Sequence, residues 1–130
     1  HFFHRQIKLQ VVKPGIRLGK LVSVLSNSDF NYLPVVDDDG HLLGEIDILK
    51  IRHIVFRTEL YQRYTAAQLM TPVPAFLYNN EPMEKVMKKF DHTNAEALPV
   101  VDINNHLIGY ISRLRLYSVY RKMVADYSAE

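Results

Sequence analysis

The chain has 130 residues, enough for one compact domain or for two small halves that share a core. Its 16 basic and 14 acidic side chains are interspersed and leave a formal charge of +2, so the sequence offers no footprint for wrapping nucleic acid. No apolar run reaches the roughly 18 to 20 residues of a membrane-spanning helix, and we expect the segment itself to be soluble. The lack of cysteine excludes disulfides and thiolate chemistry and is typical of cytosolic proteins. Because the chain begins at His1, we expect it to be a piece of a longer protein.

The first half of the chain predicts a strand, a helix, two strands and a second helix. A β-branched run at residues 7–12 ends at a proline–glycine turn and predicts a strand. Apolar residues spaced i, i+3, i+4 and i+7 predict a helix over 18–25. Residues 32–37 and 42–46 predict strands joined by a tight turn. A second helix is expected from residue 48 to about residue 56.

The second half predicts the same order of elements. Residues 74–78 predict a strand, and the next helix starts with Pro82 in its first turn and runs to residue 92. Residues 98–102 and 107–112 predict paired strands, and the final helix runs from residue 114 to about residue 125. The connection between the two halves, at 59–68, is expected to be partly helical.

The halves are related by a constant offset of 65 residues. The sequence Leu-Pro-Val-Val-Asp at 33–37 recurs at 98–102, and the register continues through four pairs: His41/His106, Leu42/Leu107, Gly44/Gly109 and Ile46/Ile111. An offset that survives turns as well as strands indicates a duplicated structural unit. One unit is too small to bury both faces of its sheet. We therefore expect an α/β (α+β) fold in which two units, residues 1–64 with the connector and residues 65–130, pack about a pseudo-twofold axis.

This order of elements, with the repeated Leu-Pro-Val-Val-Asp strand, resembles a tandem of CBS domains, the modules named after cystathionine β-synthase. The resemblance covers residue 7 to about residue 125. A narrower resemblance, to the cytosolic carboxyl-terminal tandem of bacterial ClC-type chloride channels, rests on five segments: residues 51–57, 59–61, 68–72, 83–91 and 117–122.

The narrower resemblance implies a non-catalytic regulatory module on the cytoplasmic side of the cell membrane. Its partners would be a second copy, in a homodimer, and the ClC-type transmembrane domain of the same chain. It would modulate ion transport through dimerisation or through a ligand in the cleft between the units. The alternatives are a regulatory pair on a soluble nucleotide-metabolism enzyme and a stand-alone adenylate sensor.

The resemblance also implies where a ligand would bind. In CBS tandems an adenosine nucleotide is usually held by an aspartate that follows a threonine or serine by three residues, near the start of each unit's last helix. The matching positions are Asp47 with Lys50, and Ser112 with Arg115. Lysine and arginine cannot accept hydrogen bonds from ribose hydroxyls, so we predict weak or absent nucleotide binding and no bound cofactor. The two cations either reach another anion or extend into solvent.

Four strand residues complete the candidate cleft: Pro34, Val35, Pro99 and Val100. The sequence around Asp37 lacks the glutamate that a calcium loop needs at the position of Ile48, which favours a hairpin turn over a metal site. His41 and His106 are interpreted as turn flanks. No catalytic motif is present.

Overall fold

The computed structural model describes residues 9–128, and this part of the chain separates into two compact units, the first ending at Val73 and the second beginning at Pro74. The division between residues 64 and 65, which follows the repeat offset, stays a prediction. The first unit contains these named elements: α1 (Leu18–Ser26), β1 (Tyr32–Val36), β2 (Leu42–Asp47), 3₁₀ turns at Ile48–Ile51 and Thr58–Leu60, and α2 (Ala66–Leu69). The second unit contains these: β3 (Leu77–Tyr78), α3 (Met83–Thr93), β4 (Ala97–Val101), β5 (Leu107–Ser112) and α4 (Arg113–Ser128).

The duplication is visible in the register of the strands. In the first unit β1 and β2 are antiparallel, with Val35 opposite Gly44, and in the second β4 and β5 are antiparallel, with Val100 opposite Gly109. Both pairs have the same irregularity immediately after that residue. The predicted mixed α/β fold of two similar units is confirmed, since the offset of 65 residues in sequence reproduces the pairing residue by residue.

Each unit has an apolar core of its own. In the first, Leu18 and Leu21 of α1 pack with Leu33, Val35 and Ile46 of the strands. The core of the second comes from equivalent elements, with these buried side chains: Leu77, Val86, Phe90, Leu98, Val100, Ile111 and Leu116. The helix stripe predicted from i, i+3 and i+4 spacing is therefore the buried face of α1.

The predicted strand at residues 7–12 is shorter in the structure. Residues 7 and 8 lie outside the described part of the chain, and residues 9–11 are not in a strand. Val12 alone forms a parallel bridge beside β1, donating to Pro34 O at 3.0 Å and accepting from Val36 N at 2.9 Å. The predicted strand at 74–78 also shrinks, to Leu77–Tyr78, because Pro74 has no N–H to donate to a neighbouring strand.

The predicted helix at residues 48–56 is wrong. Only Ile48–Ile51 forms a 3₁₀ helix, and hydrogen-bonded turns follow it. The apolar residues Ile48, Ile51 and Ile54 are three apart, which matches the three residues per turn of a 3₁₀ helix rather than 3.6. Ile54 N accordingly donates to Ile51 O at 3.0 Å, and Arg57 N donates to Ile54 O at 3.0 Å.

Two further element ends differ slightly from the predictions. Pro82 is the residue before α3, in extended conformation, rather than its first helical residue. The final helix α4 begins one residue earlier than predicted and continues to Ser128. The turn between β4 and β5 contains Asn105, whose left-handed φ of 66° is a conformation that asparagine tolerates better than most residues.

Candidate ligand positions and exposed surfaces

Asp47 and Ser112 occupy the same place in the two units, and both cap the helical turn that follows. The Asp47 carboxylate accepts a hydrogen bond from Leu49 N at 2.9 Å, and the Ser112 hydroxyl accepts one from Arg115 N at 3.1 Å. Each therefore satisfies a backbone donor that the first turn of a helix leaves without an internal partner. The hydroxyl or carboxylate at this position has a structural role in each unit.

The two cations at the ribose-clamp positions are exposed. Lys50 lies in the 3₁₀ turn that Asp47 caps, and Arg115 lies in the first turn of α4 after Ser112. The pair Asp47 and Lys50 in the first unit therefore occupies the same place in the structure as the pair Ser112 and Arg115 in the second. Arg115 lies in the first turn of α4, where a cation opposes the helix dipole by about 0.3 to 1 kcal/mol, so it is not placed there to stabilise its helix. Lys50 and Arg115 would each offer a ligand hydrogen-bond donors and positive charge but no acceptor.

The four strand residues of the candidate cleft are buried. Pro34 and Val35 lie in β1 opposite Glu45 and Gly44. Pro99 and Val100 lie in β4 opposite Tyr110 and Gly109. Because their side chains are in the interior, a ligand would meet these residues mainly through their main-chain groups.

Sequence reasoning missed the role of Glu45, which is only 4% exposed. Its main chain exchanges two hydrogen bonds with the segment that follows α2, Glu45 N donating to Thr71 O at 2.9 Å and Thr71 N donating to Glu45 O at 2.8 Å. The neighbouring Gly44 allows this close approach, since a Cβ there would lie 2.9 Å from Thr71 O. Gly44 is therefore needed for packing, and the group that would be crowded is the main chain that follows α2. The only available signal was the position of Glu45 inside an otherwise apolar strand.

The two hairpin turns have the same side-chain lock. Asp37 accepts hydrogen bonds from the main-chain N–H groups of Asp39 and His41, both at 2.9 Å, and its second oxygen lies 2.9 Å from His41 Nδ1. Asp102 makes the equivalent contacts with Asn104 N at 2.9 Å, His106 N at 2.8 Å and His106 Nδ1 at 3.0 Å.

The same contacts set the acidity of the two aspartates. Hydrogen bonding from the backbone N–H of His41 is the main cause that lowers the pKa of Asp37, and that of His106 does the same for the pKa of Asp102. Ligand atoms of Asp37, Asp39 and His41 come within 4.8 Å of one another. The hydrogen bonds of the hairpin turn explain why these three residues lie close together, without a metal ion.

The second unit exposes an apolar groove between α3 and α4. It has a volume of about 530 Å³, and its apolar lining consists of Met83, Met87, Tyr120, Met123, Val124 and Tyr127. Methionine and tyrosine pairs at helical spacing can belong to a core, a pocket or a dimer surface. Met83 and Met87 pack against the core of the second unit and also line the groove, whereas Tyr120 faces the groove. Tyr117 has another role, because its hydroxyl accepts a hydrogen bond from Arg113 Nη1 at 3.0 Å.

With this geometry in place, comparison with known proteins identifies the family. The model of the CBS domain matches residues 5–57 and 66–122, so the chain belongs to the CBS domain family and contains two copies of the domain. It is a CBS pair, a class of regulatory module. Within residues 9–128 there is no helix with the length and apolar character needed to cross a membrane.

Curated relatives include enzymes and a protein named for its CBS domains. The chain is 32% identical over 110 residues to homoserine O-acetyltransferase of Methanosalsum zhilinae, covering 81% of this chain and 21% of that protein. It is 27% identical over 139 residues to the chloroplastic CBS domain-containing protein CBSX1 of Arabidopsis thaliana, covering 86% and 59%. The chain thus spans about a fifth of the length of the acetyltransferases that it matches.

Solved structures show the same fold. CBSX2 in complex with AMP superposes with a TM-score of 0.72 and 27% identity, covering 92% of this chain and 91% of that one. The cytosolic domain of the Mg²⁺ channel MgtE in complex with ATP superposes with a TM-score of 0.69 and 20% identity, covering 85% and 44%. The resemblance to a CBS tandem is confirmed, whereas the attachment to a ClC-type channel stays a prediction.

Proposed function

We propose that this CBS pair is the cytoplasmic regulatory region of a ClC-type chloride channel or antiporter and has no catalytic activity of its own. The duplicated CBS unit is the observation that carries the regulatory role. The sequence segments at 51–57, 68–72 and 83–91 support the particular attachment. A channel for another ion, MgtE, has the same fold in its cytosolic domain, so the fold is compatible with control of transport.

In the proposed mechanism the pair favours one arrangement of two subunits. A ligand that binds the two arrangements with different affinity shifts the balance between them, and the shift is transmitted to the transport pathway. The groove between α3 and α4 is the contact that we propose for the second copy. A twofold axis would place the same apolar side chains, Met123 and Val124 among them, opposite each other, which buries surface that a monomer leaves in water.

Deletion of the pair from the full-length protein tests this function. We expect chloride flux into proteoliposomes to persist but to change in its dependence on the factor that gates it. Sedimentation of the 130-residue chain should show a dimer at micromolar concentration, and Met123→Glu should shift it to a monomer. A full-length protein without long apolar segments would refute the channel attachment while leaving the dimer test intact.

A second candidate is a stand-alone adenylate sensor. It is favoured by the likeness to CBSX2, a protein solved with AMP, over nearly the whole of both chains. Against it stand Lys50 and Arg115 at the two clamp positions. Titration calorimetry with AMP, ADP and ATP separates the candidates, since an affinity in the micromolar range would support the sensor.

A third candidate, a regulatory pair on a soluble enzyme, has its support in the acetyltransferases that contain a matching segment. The sequence of the full-length protein tests it. Alternating strands and helices of a catalytic domain beside the pair would support the enzyme, and a series of long apolar segments would support the channel.

A further inference from the structure

Charge in the first unit is strongly segregated along the chain. Residues 29–47 contain six acidic side chains and no lysine or arginine, whereas residues 48–64 contain four cations and a single carboxylate, Glu59. The four cations are Lys50, Arg52, Arg57 and Arg63, and all of them are exposed. We refer to residues 48–64 as the basic segment.

The basic segment also exposes two large apolar side chains. Phe56 is 89% exposed and Leu49 is 57% exposed. Their exposure follows from the 3₁₀ geometry, because Ile51 and Ile54 occupy the core side of the segment. The Tyr61 hydroxyl donates to Val55 O at 2.7 Å and ties down the backbone next to Phe56. The aromatic ring is therefore presented by an anchored backbone.

The cations of the basic segment differ in their local partners. Arg57 lies 3.0 Å from Glu59, so much of its charge is balanced locally. Arg52 uses one nitrogen to donate to Leu49 O at 2.8 Å, and a backbone carbonyl leaves its positive charge uncompensated. Among residues 9–128 the structure gives Lys50 and Arg52 no ion-pair partner within 4.0 Å. Uncompensated positive charge thus lies between Leu49 and Phe56 in sequence, at Lys50 and Arg52.

We infer that the basic segment docks on an anionic lipid surface. Phe56 and Leu49 would enter the interface between headgroups and acyl chains, and Lys50 and Arg52 would contact anionic headgroups. Exposed apolar side chains interleaved with cations favour binding to an anionic membrane, because the free energy of burying the apolar side chains adds to the electrostatic attraction between the cations and the headgroups. A second copy of the chain fits less well, because a twofold axis through this surface would place like charges opposite each other. The inference uses only this segment and does not depend on the proposed function.

Co-sedimentation of the 130-residue chain with vesicles tests the inference. We expect binding to phosphatidylcholine vesicles that contain about 30 mol % phosphatidylserine, and none to pure phosphatidylcholine. Binding should weaken when salt is raised from about 50 mM to about 300 mM, because screening shortens the reach of the cations.

Two pairs of variants locate the surface. Lys50→Gln with Arg52→Gln should weaken binding by about 25-fold, or about fivefold for each cation removed. The control, Arg121→Gln with Lys122→Gln, changes the net charge equally at exposed positions of α4 and should leave binding close to that of the parent. Phe56→Ser should weaken binding by about tenfold or more, whereas Ile103→Ser, at a side chain that is 90% exposed beside Asp102, should not change it.

Several results would overturn the inference. One is equal binding to neutral and anionic vesicles, and another is an equal loss in the basic-segment variants and their controls. If the parent binds no vesicles and Phe56→Ser converts a dimer to a monomer, the segment contacts a second copy instead. Binding to an acidic polypeptide such as polyglutamate, with no binding to vesicles, would assign the segment to a protein partner. Because all the substituted side chains are exposed, circular dichroism should show an unchanged fold in every variant.

Discussion

Replacing Gly44 with alanine should destabilise the first unit by about 2 to 3 kcal/mol. The added Cβ would lie 2.9 Å from Thr71 O and 3.0 Å from Met70 Sδ. The methionine end can turn away, but the carbonyl belongs to the backbone and is bonded to Glu45 N at 2.9 Å. Relief of the contact requires the segment at Met70 and Thr71 to move off β2.

The magnitude follows from what that movement breaks. Glu45 of β2 and Thr71 exchange two main-chain hydrogen bonds, at 2.9 and 2.8 Å, and each contributes about 1 kcal/mol. Strain that remains after relaxation adds on the order of 1 kcal/mol, at the low end for overpacking of a close contact. For a unit of this size the expected loss corresponds to a fall in melting temperature of about 10 to 20 °C.

Gly15 provides the matched control. A Cβ at this exposed glycine would meet nothing within 4 Å, and its backbone does not require a left-handed φ. Gly15→Ala should therefore leave the melting temperature unchanged or raise it slightly, because alanine restricts the unfolded chain more than glycine does. Thermal unfolding of both variants, followed by circular dichroism, makes the comparison. Equal melting temperatures for Gly44→Ala and Gly15→Ala would refute the packing argument.

Three other predictions concern charged side chains. Arg113→Ala should lower the free energy of unfolding by about 2 to 4 kcal/mol, since this guanidinium donates to Phe90 O at 2.6 Å and to Ala95 O at 3.0 Å. The control is Arg115→Ala, at an exposed side chain, and the prediction is wrong if Arg113→Ala destabilises the protein no more than this control does. The lowered pKa values of Asp37 and Asp102 predict stability that is present above the unfolded value of 3.8 and is lost as pH falls through the lower folded values. Replacing both aspartates with asparagine should flatten the melting temperature between about pH 5 and about pH 2, and an unchanged acid limb would argue against this linkage. Lys50→Asp with Arg115→Asp should strengthen AMP binding about a hundredfold by restoring two acceptors, and calorimetry that detects no binding by a folded variant would show that the missing carboxylates are not the cause.

The parts of the fold that could be predicted are those in which the repeat and local chemistry agree. The strands around residues 33–37 and 98–102 have the same sequence and the same pairing, so each prediction supported the other. The apolar stripe of α1 identified its buried face without reference to the rest of the chain. The left-handed backbone at Asn105 follows from the tolerance of asparagine for that conformation.

The segment at 48–57 could not be predicted from its own pattern. Spacings of three, as between Ile48, Ile51 and Ile54, fit a single turn of α-helix as well as a 3₁₀ helix, so the pattern does not distinguish the two. The hydrogen bond from the Tyr61 hydroxyl to Val55 O, in the turns that follow, has no signal in the spacing of the apolar residues. The close contact at Gly44 could not be predicted either, since its neighbour Thr71 is 27 positions away in sequence.

The candidate ligand positions show why a site is harder to infer than a fold. The repeat preserves an acceptor at Asp47 and Ser112, and in both units that acceptor caps a helical turn. Three residues later the family resemblance requires an aspartate, but both units have a cation, and the turns form nonetheless. The capping acceptor and the ligand-facing residue are therefore separable: the first is needed for folding, whereas the second can change from acceptor to donor without loss of the fold. A sequence pattern that identifies the CBS pair thus leaves its ligand undetermined, and the paired aspartate substitution addresses the ligand while preserving both caps.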